Sequence, residues 1–318
     1  MSPASGLTLD CCVLMKSLPL LAVLLGACTH LGPVRDRGVL DADARLLPVG
    51  DVAGPGPRQV RAETVDVGGW DDGFAVSVYR PVDSARPAPA VVFLPARAAP
   101  EWQYDSYARA LASRGFVVAL RTWYGFLRTD PELAGDARRI ARWLVERGLA
   151  RADAIGVAGH SMGGKASIMA ALADPRFRAV VAIDPDENGY THVARGPIAT
   201  LRTPLLVVGA EVAYKAFRLC ATKDGNYRSF FTHAPPGTIE LTLLGADHVQ
   251  VMDAPNTPGM GICRVGKVDS TKVRMLSRAA TVAFFERHLL GIAEVRLPSG
   301  AGVRERVVPD TVARAASP

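Results

Sequence analysis

The stretch VAGHSMGGKAS, residues 157–167, admits two interpretations that imply different folds. Residues 159–165 nearly match the phosphate-binding loop G-x-x-x-x-G-K-[ST], while residues 159–163 match G-x-S-x-G, a tight strand-to-helix turn that presents a nucleophilic serine. The phosphate-loop interpretation fails because position 166 is alanine, which lacks the hydroxyl that would bind Mg²⁺. The serine turn fits at every position, because an apolar strand leads into Gly159 and glycines follow Ser161. We therefore expect Ser161 to be a nucleophile.

The sequence around this turn alternates between apolar strands and amphipathic helices. An antiparallel hairpin is predicted first, from ETVDV (63–67) and FAVSVYRP (74–81). Further strands are predicted at 90–95, 116–120, 154–159, 179–184, 204–210 and 239–245, and helices at 104–115, 131–148, 165–174 and 273–291. Continuous apolar strands that alternate with helices predict an α/β fold, with a mostly parallel central sheet and helices on both faces.

The N-terminal residues have the layout of an export signal. Met15 and Lys16 precede an apolar run from 18 to 27, which is too short to span a bilayer. The run ends in LGAC, residues 25–28, which resembles the lipobox in which the cysteine is lipidated. We therefore predict an exported protein that is anchored to a membrane through Cys28, with translation starting at Met15.

The rest of the chain divides by composition. Residues 1–28 form the predicted signal with its lipobox, and the Pro/Gly-rich residues 29–60 are expected to be a tether. Residues 61–298 are expected to form one catalytic domain, and 299–318 a polar tail.

The cysteines agree with export. If Cys11 and Cys12 precede the true start and Cys28 carries lipid, Cys220 and Cys263 remain as an even pair in an oxidising compartment. This predicts one disulfide, with two unpaired buried thiols as the alternative.

A nucleophilic serine needs a histidine base later in the chain, in the order serine, acid, histidine. His248 fits, because it follows the last predicted strand and precedes the closing helix. The other histidines lie in the tether, in the serine turn, in earlier loops or on the closing helix: His30, His160, His192, His233 and His288. Two strand-end carboxylates, Asp184 and Glu211, could each orient the imidazole.

The oxyanion of the reaction would be held by two backbone N–H groups. One would belong to Met162, directly after the nucleophile, and the other to the loop after the strand at 90–95. Pro95 has no N–H, so the second donor would be Ala96 or Arg97.

Several partners are not expected. The net charge is +6, but the arginines are scattered and no basic run is interleaved with aromatic residues, so we expect no nucleic acid partner. Serine-histidine-acid chemistry also needs no cofactor or metal ion, and we expect neither.

Several ordered blocks between about residues 65 and 291 resemble the chlorophyllase-like branch of the α/β-hydrolases. These blocks are GHSMGGK, SYARALASRGFVVAL, AIDPDENG, CATKDGNYRSFF, GADHVQVMD and VAFFERHLLG. The resemblance implies an α/β-hydrolase fold and an acid at Asp184. The sequence also resembles bacterial cutinases and polyester hydrolases around GHSMGG and PLLVVGAE, whose acid follows the later strand, which implies Glu211 instead.

Together these features predict a carboxylic ester hydrolase that uses Ser161, His248 and Asp184, with Glu211 as the alternative acid. The expected substrate is a small-molecule or lipid-like ester. The competing hypothesis is a surface lipoprotein that keeps the fold but only binds a ligand, because a fold alone does not establish a function.

Overall fold

The computed structural model describes residues 39–40, 54–68, 72–83, 86–97, 99–122, 125, 127–189, 191–217 and 220–310. The predicted signal segment 1–28, with Cys28, lies outside the described residues.

The strands of the described residues form one sheet. They are Val39–Leu40 (β1), Val60–Val67 (β2), Phe74–Pro81 (β3), Ala88–Leu94 (β4), Val117–Arg121 (β5), Ala150–His160 (β6), Phe177–Ile183 (β7), Leu205–Ala210 (β8), Ile239–Leu243 (β9) and Val303–Val307 (β10). Their order across the sheet is β1-β2-β3-β5-β4-β6-β7-β8-β9-β10. Strands β5, β4, β6, β7, β8 and β9 are parallel, while β1, β2, β3 and β10 pair antiparallel at the two sides. The carboxyl ends of six parallel strands therefore meet at one edge of the sheet.

Helices cover both faces of this sheet. They are Asp105–Ala112 (α1), Asp130–Glu146 (α2), Met162–Ala173 (α3), Tyr227–His233 (α4) and Ser270–Leu289 (α5). One buried cluster joins the sheet to α1 and α5, and a second joins it to α2, α3 and α4. Along β4, Val91 and Phe93 belong to the first cluster and Val92 and Leu94 to the second, as the alternation of side chains along a strand requires. The predicted α/β architecture is confirmed.

The structure extends the sheet beyond the expected domain limits. Val303–Val307, which we expected to belong to a polar tail, form β10 on β9, and Arg306 forms an ion pair with the buried Glu240. At the other side, Val39–Leu40 of the expected tether pair with Val60 and Arg61. Both strands were missed because a short or charged edge strand lacks the apolar pattern of a central one.

Helix α2 begins at Asp130 with a cap formed by the two side chains of Thr129 and Glu132. The side chain of Thr129 accepts the N–H of Glu132, and the carboxylate of Glu132 accepts the N–H of Thr129 at 2.8 Å. This reciprocal cap provides acceptors for two N–H groups that have no hydrogen-bond partner within the helix. None of the described helices combines the length and apolar character that crossing a bilayer would require.

Candidate active site

Ser161 occupies the tight turn between β6 and α3. Its backbone has φ 56° and ψ −121°, and α3 begins at the next residue. A non-glycine residue at positive φ is strained, and such strain is concentrated at functional sites. The N–H of Ser161 donates to the backbone oxygen of Ile183 at 2.9 Å, which fixes the turn to the end of β7.

The glycines of the motif allow backbones to approach each other closely. A Cβ on Gly159 would overlap the carbonyl of Gly163, and a Cβ on Gly163 would overlap the carbonyl of Leu94. Any side chain at these positions would therefore push the start of α3 away from the end of β4. The glycines bring the turn of Ser161 against the loop that follows β4.

Asp184 lies directly after β7, at φ 38°. Its Oδ2 is 2.6 Å from Nδ1 of His248, and its Oδ1 accepts the N–H of Ala210 at 2.9 Å. The carboxylate is therefore held at both oxygens, one by the imidazole and one by the end of β8. Only 2% of Asp184 is exposed, which strengthens the electrostatic interaction with His248.

His248 lies in the turn after β9 and is 5% exposed. Burial lowers the pKa of its imidazole, but the hydrogen bond and charge of Asp184 outweigh it, so the pKa lies above the ordinary value of 6.5. Because Asp184 is bound to Nδ1, Nε2 is the nitrogen left to exchange a proton with a nucleophile.

Glu211 serves a different purpose from Asp184. Its Oε2 accepts the N–H of Gly245 at 2.9 Å, and its Oε1 lies 3.7 Å from Nη1 of Arg304. The carboxylate that is hydrogen-bonded to His248 is that of Asp184. Glu211 instead braces the turn between β9 and His248.

The candidate oxyanion donors belong to two different segments of the fold. Met162 is the first residue of α3, and the loop with Ala96 and Arg97 follows β4. The N–H of Ala96 donates to Oη of Tyr104 at 3.2 Å, so an oxyanion bound there would compete with this phenol. Arg97 directs its guanidinium to the backbone oxygen of Arg128, at 3.5 Å.

The sequence also matches a known protein family. A family model described as PETase, PET hydrolase-like, matches residues 51–249, which is more than half of the chain. The chain belongs to the PET hydrolase-like family. No curated protein matches the sequence.

Membership of the PET hydrolase-like family agrees with the α/β-hydrolase fold and with the resemblance to cutinases and polyester hydrolases. It also supports ester hydrolase activity. The matched residues include Ser161 and Asp184 and end one residue after His248. Within this PET hydrolase-like chain, however, the imidazole partner follows β7, whereas the resemblance to polyester hydrolases implies an acid after the later strand, where Glu211 lies.

Cys220 and Cys263 form a disulfide, with their Cα atoms 5.5 Å apart. The segments that they join are each bound to a loop of the site by a buried carboxylate. Asp186, two residues after Asp184, accepts the N–H of Thr222 at 2.6 Å.

Asp247, directly before His248, is the second of these carboxylates. It accepts the N–H groups of Val249 and Gln250 at 3.2 and 3.1 Å through Oδ1. Its Oδ2 accepts those of Val265 and Gly266 at 3.0 and 2.8 Å. Asp247 therefore fixes the histidine turn to the segment that follows Cys263.

Sequence reasoning missed the roles of Asp186 and Asp247. The available signal was local, because an aspartate often hydrogen-bonds a backbone N–H two residues further along the chain and so stabilises a turn. Each of them also accepts N–H groups from a distant segment, and sequence spacing cannot reveal those partners.

Two further observations concern the described residues alone. No three of their His, Cys, Asp or Glu side chains are placed to hold one metal ion.

A cavity of about 390 Å³, lined by Phe177, Arg178 and Arg202 among others, lies at the amino ends of β7 and β8, at the opposite edge of the sheet from Asp184.

Proposed function

We propose that the chain is a serine hydrolase that cleaves carboxylic esters through an acyl-enzyme. The observation that carries the proposal is the hydrogen bond between His248 and Asp184, located where the turn of Ser161 meets the end of β7. A buried carboxylate that orients an imidazole is the arrangement that activates a serine hydroxyl, and Asp184 directly follows Ile183, whose backbone oxygen accepts the N–H of Ser161.

In this mechanism, Ser161 Oγ attacks the ester carbonyl while His248 Nε2 takes its proton. The charge of Asp184 stabilises the imidazolium that forms. The N–H groups of Met162 and of Arg97 or Ala96 hold the oxyanion of the tetrahedral intermediate. His248 then gives this proton to the leaving alcohol. A water molecule, deprotonated by the same imidazole, attacks the acyl carbonyl, and His248 returns that proton to Ser161 Oγ as the bond to the acid breaks.

The proposed substrate is a small-molecule or lipid-like ester. We also propose that the protein is exported and anchored to a bacterial membrane through a lipid on Cys28, or otherwise released into the periplasm or medium. The apolar run before LGAC supports this location, and the disulfide agrees with an oxidising compartment.

Labelling with a fluorophosphonate probe tests the proposed function. The wild-type protein is expected to react at one serine and Ser161→Ala to remain unlabelled, with an unchanged circular dichroism spectrum. p-Nitrophenyl esters of increasing chain length then define the preferred acyl group. A folded wild-type protein that neither reacts with the probe nor hydrolyses any ester would favour the binding-protein hypothesis.

A further inference from the structure

We propose that His160 is a positioning residue for the catalytic base and that Tyr104 couples it to the loop that carries the oxyanion donors. The inference rests on the proposed function, because it assigns His248 as the base. His160 is the second residue of the G-x-S-x-G motif, and the proposed mechanism leaves it unused.

The rings of His160 and His248 are in contact. Their centroids are 4.6 Å apart and their planes are inclined by 40°. His160 is 0% exposed, so its ring packs against His248 in the interior of the protein. Asp184 holds the imidazole of His248 at Nδ1. One ring nitrogen and one ring face of His248 are thus fixed by different residues.

Tyr104 links His160 to the loop that follows β4. Its Oη lies 2.8 Å from Nδ1 of His160 and accepts the N–H of Ala96 at 3.2 Å. The phenol is 0% exposed and packs on Phe93, with 5.1 Å between ring centroids. A continuous chain of contacts therefore runs from Ala96 through Tyr104 and His160 to His248.

Packing alone does not account for an imidazole at this position. Nε2 of His160 is buried, and an apolar ring of similar size would avoid the cost of removing this polar atom from water. An imidazole differs from an apolar ring in having Nδ1, which forms the hydrogen bond to Tyr104. This hydrogen bond explains the histidine, because Tyr104 also binds Ala96 in the oxyanion loop.

His160 can fulfil this role only if it remains uncharged beside the base. Burial and the charge of nearby His248 hold the pKa of His160 well below 6.5. It therefore stays neutral when His248 accepts the proton of Ser161, and two adjacent imidazolium rings do not form.

The test compares Tyr104→Phe, His160→Phe and the double variant by steady-state kinetics on a p-nitrophenyl ester and by the rate of fluorophosphonate labelling. Tyr104→Phe removes one oxygen and keeps the packed ring. We expect kcat to fall about tenfold with KM within about twofold, because a misplaced base and oxyanion loop affect the transition state more than substrate binding. The double variant is expected to lose less than the two single losses combined, because both substitutions break the same contact between Tyr104 and His160.

Tyr79→Phe is the matched control. Tyr79 is equally buried in the same cluster, and its hydroxyl donates to Asp105 at the start of α1. This variant is expected to lower the melting temperature about as much as Tyr104→Phe, with kcat close to wild type.

The proposal is overturned if Tyr104→Phe keeps wild-type kcat and labelling rate, or if the two substitutions are additive. The first of these outcomes depends on Tyr104→Phe alone, so a folding defect in His160→Phe leaves the proposal testable. A wild-type protein that does not react with the probe would instead refute the proposed function.

Discussion

Lys165 Nζ lies 2.7 Å from Asp130 Oδ2, and neither side chain is more than 4% exposed. The same ammonium donates to the backbone oxygen of Thr191 at 2.7 Å. The first turn of α3 is thereby bound both to the start of α2 and to the loop that follows Asp184. Lys165, which matches the lysine of the phosphate-loop pattern in the sequence, is thus part of a buried ion pair.

Lys165→Met should destabilise the protein by about 3–5 kcal/mol, because it leaves the buried carboxylate of Asp130 without its counter-ion. The double variant Lys165→Met/Asp130→Asn should lose clearly less, since it removes both charges. Urea denaturation measures both. Arg151→Met, at an exposed ion pair with Asp153, is the control and should leave the midpoint unchanged. A double variant less stable than Lys165→Met would contradict the ion-pair explanation.

Asp184→Asn should lower kcat by a factor on the order of 10⁴, because the amide favours the wrong tautomer of His248 and cannot stabilise an imidazolium. Glu211→Gln should lower it far less, since Glu211 accepts the N–H of Gly245 and the amide oxygen can do the same. Steady-state kinetics on one ester compares the two. The reverse order would assign the acid to Glu211.

The pH dependence follows from the raised pKa of His248. The base must be neutral to accept a proton, so kcat/KM should be low in acid and rise through a pKa above 6.5. In Asp184→Asn the hydrogen bond and charge that raise the pKa of His248 most are gone, while burial still lowers it and only the smaller effects of Asp186 and Asp247 still raise it, so the remaining activity should rise at a lower pH. A rise in the wild type at or below 6.5, or one that Asp184→Asn does not shift, would be incompatible with this account.

Breaking the disulfide should lower both stability and turnover. Cys220 and Cys263 are separated by 43 positions, and closing a loop of this length stabilises a protein by about 4 kcal/mol in the chain-entropy model. Cys220→Ser and Cys263→Ser should therefore melt at a lower temperature. Their kcat should also fall, because Asp186 and Asp247 connect the joined segments to the loops of Asp184 and His248. Two thiols that alkylate freely in protein purified without reductant would rule the bond out.

Export with lipidation is tested at Cys28. In a bacterial host, the wild type should sediment with membranes and incorporate labelled palmitate, while Cys28→Ser should do neither. Cys12→Ser, upstream of the expected start, is the matched control and should behave as wild type. Equal fractionation and labelling of all three proteins would eliminate the anchor.

The alternation of strands and helices predicts the central fold because each apolar run is long and periodic. The start of α3 shows where such reasoning is weaker. The sequence places it at Lys165, but the helix begins at Met162, because Gly163 and Gly164, poor helix formers in isolation, are held in place by the close approach of β4 and β6. Helix α4 was missed for a different reason, because its seven residues are too few to show the period of a helix.

For the candidate site, the turn motif predicts Ser161 as the nucleophile, and the position after the last parallel strand predicts His248 as the base. The choice between Asp184 and Glu211 depends on which strand end lies nearer the imidazole, and sequence offers two equivalent candidates. The contacts of His160 and Tyr104 were not predictable either, because they join residues that are 56 positions apart.

Strand β10 has a further consequence, for association between molecules. Three of its five residues are charged, Arg304, Glu305 and Arg306, and it forms the outer strand beside β9 in the described sheet. Charged side chains on an edge strand discourage pairing with a strand of another chain. Without β10, the edge would be β9, whose mostly apolar sequence IELTL would favour such pairing. A chain cut after Pro298 would uncover β9 and leave the buried Glu240 without Arg306. We therefore expect the chain without β10 to aggregate more readily than the full chain.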